Sequence, residues 1–128
     1  MTTQTRTWTA EEIAQTWAET IASRDWEALG KLVSDDIEFF EATPRGLVEL
    51  HGREAMLDYA RTGFGGLETL TAESSHGELI GESVRITVRL LTGSDGQSFL
   101  YDETFYLVLD ADGRARAITA ACSGGQLV

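Results

Sequence analysis

Two glutamates stand in otherwise apolar surroundings. Glu41 closes the run Ile37-Glu38-Phe39-Phe40-Glu41, and in extended backbone the alternation puts it on one face with Ile37 and Phe39. Glu103 falls in a row with Phe99, Tyr101, Phe105 and Leu107. A carboxylate on an apolar wall loses hydration, so its proton affinity rises and it becomes a better general base. Two carboxylates facing one cavity push their proton affinities apart, leaving one ionised base and one protonated acid, an arrangement suited to water activation or acid-assisted ring opening. Plainer readings stand beside these. The first strand can be turned over so that Glu41 is a solvated edge residue, and Glu103 can face outward and pair with Arg85 or Arg89. Tyr101 and Tyr59 can orient a substrate oxygen or simply satisfy a core hydrogen bond.

The elements that must position these residues are legible in outline. Thr9-Ala10-Glu11-Glu12 is a capping box, and Ile13, Trp17 and Ile21 then recur at helical spacing, which predicts a helix over 10–23. Asp25 caps a second helix with Leu29, Leu32 and Val33 on its apolar face, ending near Ser34-Asp35. A short strand follows over 37–41. The segment Thr43 to Leu50, with the only proline, reads as a loop leading to a third helix near Gly52-Arg53-Glu54, with Met56, Tyr59 and Ala60 inward. Gly63, Gly65 and Gly66 end it. Strands are expected at about 67–75, 83–92, 98–109 and 114–122, with turns at Thr92 to Gln97 and Asp110 to Gly113. The Gly124-Gly125 tail reads as a frayed end. Helices followed by antiparallel strands describe an α+β domain, its helices packed on one face of a curved sheet.

In the strand around Arg85, Val84, Ile86, Val88 and Leu90 share one face, and that face is expected to line a core or cavity. The strand from Phe99 to Leu109 is apolar on both faces, so it is covered twice or pairs with a second subunit; a homodimer through the outer face would account for it.

Composition narrows the partners. The 128 residues carry 10 Lys plus Arg against 21 Asp plus Glu, a formal charge of −11. DNA, RNA and anionic lipid surfaces repel such a chain, and its basic residues are scattered. Nucleic-acid and membrane partners are therefore not expected. One domain over 1–128 is expected, with a hydrophobic core that needs no staples. The lone Cys122 excludes an internal disulfide and reads as a small buried hydrophobe beside Ile118 and Ala120. His51 and His76 lack metal-ligand spacing, His51 reading as a residue that helps hold its loop, so no metal and no organic cofactor is implied. The start MTTQTRTWTAEE has no apolar signal core, and no run approaches the ~18 apolar residues of a membrane span, so the cytoplasm is the default location.

Asp25-Trp26-Glu27-Ala28-Leu29, Ser34-Asp35-Asp36-Ile37-Glu38-Phe39, His51-Gly52-Arg53-Glu54-Ala55, Gly63-Phe64-Gly65-Gly66 and Asp110-Ala111-Asp112-Gly113-Arg114 occur in this order. In these motifs the chain resembles the ketosteroid isomerase branch of the nuclear transport factor 2-like (SnoaL-like) superfamily over nearly its whole length. The resemblance implies a cone of curved sheet closed by three helices around a deep apolar pocket. It also implies a carboxylate base at the end of the first strand, which falls at Glu41. The tyrosine and protonated aspartate that form the isomerases' oxyanion hole fall at Trp17 and Phe105; both usual donors are absent, and the Trp17 indole N–H can supply one hydrogen bond.

Catalytic roles are accordingly expected for Glu41, Glu103 and Tyr101. Trp17, Phe39, Tyr59, Ile86, Val88, Leu90, Phe105, Ile118 and Cys122 are expected to line the pocket. The expected function is acid–base chemistry (isomerisation, dehydration or cyclisation) on a small, mostly apolar, uncharged or weakly polar molecule. By resemblance, its setting is secondary metabolism such as polyketide tailoring. The alternatives are an epoxide hydrolase using both carboxylates and a non-catalytic binding module, since this fold serves all of these.

Overall fold

The computed structural model describes residues 8–128; residues 1–7 of the segment read above for a secretory signal lie outside them. Helix α1, Ala10–Ser23, begins at the capping box: Thr9 accepts from the Glu12 amide at 3.1 Å and Glu12 accepts from the Thr9 amide at 3.2 Å. Ala14, Trp17, Ala18 and Ile21 form its buried stripe. Arg24, left-handed at φ 55°, turns the chain into α2, Trp26–Lys31, whose first turn Asp25 caps through the Ala28 amide. Helix α2 ends earlier than Ser34-Asp35. The Leu32 carbonyl is taken by the Ala115 amide and Val33 pairs with Ala115, so sheet pairing claims the residues that local pattern assigns to the helix.

Strand β1, Val33–Thr43, is longer than expected. It is followed not by a loop but by β2, Gly46–His51, which pairs with it from Glu38↔His51 to Thr43↔Gly46. Pro44 therefore marks the tip of a hairpin. Strand β2 is a short edge with Leu47 largely exposed, and a solvated edge carries no clean alternation to read. His51 reaches across this hairpin to Glu38 at 2.6 Å.

Helix α3, Arg53–Phe64, precedes β3 (Thr69–Ile80), β4 (Ser83–Ser94), β5 (Gln97–Leu109), β6 (Ala115–Cys122) and β7 (Gln126–Leu127). The curved, unclosed sheet runs β2-β1-β6-β5-β4-β3; its pairs are antiparallel except β1 with β6, which is parallel. The β4–β5 turn places Asp95 at φ 52° and Gly96 at φ 76°, the two positive dihedrals of a tight two-residue hairpin. The tail beyond Gly125 is paired rather than frayed: β7 joins β5 at Phe99↔Leu127 and Leu100↔Gln126.

Helix α1 lies across β3 and β4. It sits so close that a Cβ at Gly77 would collide with the Ala10 carbonyl, which explains a glycine in mid-strand. Helix α3 packs against β1 and β2 on the same face, leaving a hollow between the helices and the sheet.

Candidate active site

Strand alternation aims both glutamates into that hollow. On β1, Ile37, Phe39 and Glu41 are buried while Glu38 is exposed; on β5, Glu103, Phe105 and Leu107 are buried while Asp102 is exposed. Each glutamate is 6% exposed. The outward alternative for Glu103 does not occur: Arg89 pairs with Asp102 at 2.8 Å and Arg85 with Glu78.

Register brings the two carboxyls together. Glu41 lies beside Ala120 on β6, Ala120 lies opposite Phe105 on β5, and Glu103 is opposite Cys122, one inward step further along. Only the methyl group of Ala120 stands between the flanking strands at this level, so two long glutamate side chains can meet above it. Burial first, and then the Glu41 charge, push the Glu103 carboxyl from 4.5 up to about 8, so at neutral pH it holds a proton. Burial, followed by the Glu103 carboxyl, pushes the Cys122 thiol up to about 12, so it stays protonated at neutral pH beside Glu103.

Helix α3 supplies the group that fixes Glu41. Tyr59 Oη donates to Glu41 Oε1 at 2.5 Å. Burial, this hydrogen bond and the Glu41 charge all raise the phenol's proton affinity, so it remains a donor. The Tyr59 ring packs against Phe39, centroids 5.7 Å apart, which locks the phenol over β1. Tyr59 is thus engaged with Glu41, a partnership that chain spacing does not reveal.

The cavity holds about 290 Å³. Trp17, Phe39, Glu41, Tyr59, Tyr101, Glu103, Phe105, Ile118 and Cys122 line it. Trp17 packs on Phe105 with centroids 6.1 Å apart and forms one side wall. Ile86, Val88 and Leu90 do not line it. They are at most 2% exposed in the core on the strand that α1 covers. The clean alternation of β4 identifies an inward face but cannot distinguish a wall under a helix from a wall under open space. The sequence reading also missed Ile21, Leu29, Phe64, Leu67 and Thr92 as lining residues. Phe64 ends α3 and Leu67 follows it, among Gly63, Gly65 and Gly66, where an apolar residue in an otherwise open segment is the available signal. None of the described residues that line the cavity is Arg, Lys or His. Among the described residues, no cluster of three or more His, Cys, Asp or Glu is arranged to hold a metal, and no helix is long and apolar enough to cross a membrane.

The comparisons with known proteins agree with this geometry. The family model for the SnoaL-like domain matches residues 14–118. No curated protein matches. Among solved structures, a hypothetical protein with a ketosteroid isomerase-like fold from Catenulispora acidiphila, in complex with trimethylamine, is 19% identical with TM-score 0.73, over 91% of this chain and 88% of that one. A candidate SnoaL-like polyketide cyclase from Shewanella denitrificans is 12% identical with TM-score 0.70, over 87% and 88%. An epoxide hydrolase of Mycobacterium tuberculosis, described as LEH-like, is 12% identical with TM-score 0.69, over 89% and 82%. At these identities the structures speak to fold alone. The fold and its pocket define the nuclear transport factor 2-like class, and within it the chain belongs to the SnoaL-like domain family.

Proposed function

We propose that the protein is an acid–base enzyme for a small, mostly apolar organic molecule, with Glu41 as the base and Glu103 as its protonated partner. The observation that carries this reading is the buried carboxyl pair: two glutamates, each 6% exposed, in a cavity whose lining is mostly apolar. Glu41 takes a proton from carbon, Glu103 donates one to the developing oxyanion, and Tyr59 holds Glu41 Oε1 so that Oε2 is left for substrate. Tyr101 is proposed to orient the substrate. Isomerisation, dehydration and cyclisation all use this pair, and a secondary-metabolite setting suits the family.

Proton abstraction can be read without knowing the natural substrate. A small cyclic enone in D2O is expected to exchange its acidic C–H faster with the protein than in buffer, and Glu41→Gln is expected to abolish the increment. Exchange at the buffer rate across a panel of apolar ketones would count against the reading.

The same pair favours a second reading, in which Glu103 protonates an epoxide oxygen while Glu41 activates water. Incubating cyclohexene oxide in oxygen-18 water separates the two, because hydrolysis labels the product and isomerisation does not. A cytoplasmic homodimer through the outer sheet face completes the proposal. The exposure of Tyr106 on that face supports the dimer; sedimentation with and without Tyr106→Asp tests it.

A further inference from the structure

One polar atom at the carboxyl end of the cavity has nothing to bind. Glu103 Oε2 is buried without a hydrogen-bond partner among the described residues, on a side chain 6% exposed that lines the cavity. Its neighbour differs, since Glu41 Oε1 is already occupied by Tyr59. The remaining titratable side chains on the wall are Tyr59, Tyr101 and Cys122, and none of these can carry positive charge. The pair's negative charge is therefore uncompensated by any lining residue among those described. The rest of the wall is largely aromatic and aliphatic, with Trp17, Phe39, Phe64 and Phe105 among it.

We propose that the polar end of this pocket takes a small tertiary amine, whose single N–H⁺ donates to Glu103 Oε2 and whose methyl groups lie among the aromatic rings. The proposal rests on the reading of Glu41 and Glu103 as one acid–base pair. Donor count and wall chemistry together narrow the amine type. A primary ammonium brings three N–H groups to two free carboxyl oxygens, Glu103 Oε2 and the Glu41 Oε2 that Tyr59 leaves, and would leave one desolvated and unpaired; a quaternary ammonium brings none, and each N-methyl group replaces a donor by a group that the apolar wall accepts. Carboxylate and phosphate ligands meet the pair's charge with no cation to offset it. N-methyl groups on a cation are both apolar and attracted to aromatic faces. On binding, the ammonium keeps its proton and Glu103 releases its own to solvent, so the N–H⁺ meets an ionised carboxylate.

The test compares N,N-dimethylbenzylamine with isobutylbenzene, the same shape with carbon in place of nitrogen, by tryptophan fluorescence at pH 7. The amine is expected to bind at least about tenfold more tightly than the hydrocarbon. Calorimetry in phosphate and in Tris is expected to show release of about one proton per amine bound. Glu103→Gln is expected to remove the amine's advantage while isobutylbenzene still binds within about twofold, which also shows that the variant's pocket is intact. Equal binding of the two probes, or amine binding undiminished in Glu103→Gln, would overturn the amine proposal and leave the apolar acid–base pocket standing. Binding of neither probe would overturn both.

Discussion

Tyr59 Oη and Glu41 Oε1 lie 2.5 Å apart, a hydrogen bond that ties the middle of α3 to the end of β1. It spans the hollow between helix and sheet, so one contact both closes the pocket wall and orients its base. Tyr59→Phe keeps the ring on Phe39 and removes only the donor. The expected outcome is a fall in kcat of about ten- to a hundredfold with KM little changed, because a misoriented base is felt in the transition state. The variant should also lose about 1–3 kcal/mol of stability, read by urea unfolding.

Glu103 makes stability depend on pH in a stated direction. Its folded value of about 8 exceeds its ordinary 4.5, so between those values the native state holds a proton that the unfolded chain has released. Stability from this group is complete below the window and falls as pH rises through it, by at most ~1.4 kcal/mol per pH unit. Glu103→Gln removes the titration, so its unfolding free energy should stay flatter over this range and exceed the parent's at the alkaline end. Urea titrations across the window check both.

Ala120 keeps the space in which the carboxyls meet, being 4% exposed and flanked by Glu41 on one side and Phe105 on the other. Ala120→Leu should drive a side chain between them, at an overpacking cost of about 1–3 kcal/mol. Activity is expected to fall at least about tenfold in protein that still shows native circular dichroism.

Leu90 and Leu67 separate core from pocket. Leu90, fully buried, should cost about 2–5 kcal/mol as Leu90→Ala, read as a lower Tm, with little change in ligand affinity. Leu67 lines the cavity and is only half-buried, so Leu67→Ala should alter affinity more than Tm.

What the sequence displays and what it hides divide along physical lines. Helix α1 is marked at both ends by local chemistry, the Thr9 box and the Asp25 cap that opens the next helix, and so its bounds are legible. The inward direction of Glu41 follows from period-two alternation with Ile37 and Phe39. The end of α2 and the existence of β2 are not legible, because sheet partners distant in sequence, Ala115 for Val33 and β1 for β2, decide them. The cavity wall is only partly legible. Alternation puts Ile86, Val88 and Leu90 inward, but which inward residues a helix covers depends on the seating of α1 over Gly77. The partnership of Tyr59 with Glu41 joins residues 18 positions apart on different elements, and no spacing rule encodes it.

Carbon-13 NMR of glutamate δ-carboxyls, titrated from pH 4 to pH 10 in the parent and in Glu41→Gln, reads the carboxyl pair itself. The expected result is a Glu103 carboxyl that stays protonated through neutrality and titrates near 8, moving to lower pH once the Glu41 charge is removed. A Glu103 carboxyl that titrates in the ordinary glutamate range and ignores Glu41→Gln would contradict the claim that the two share one buried site.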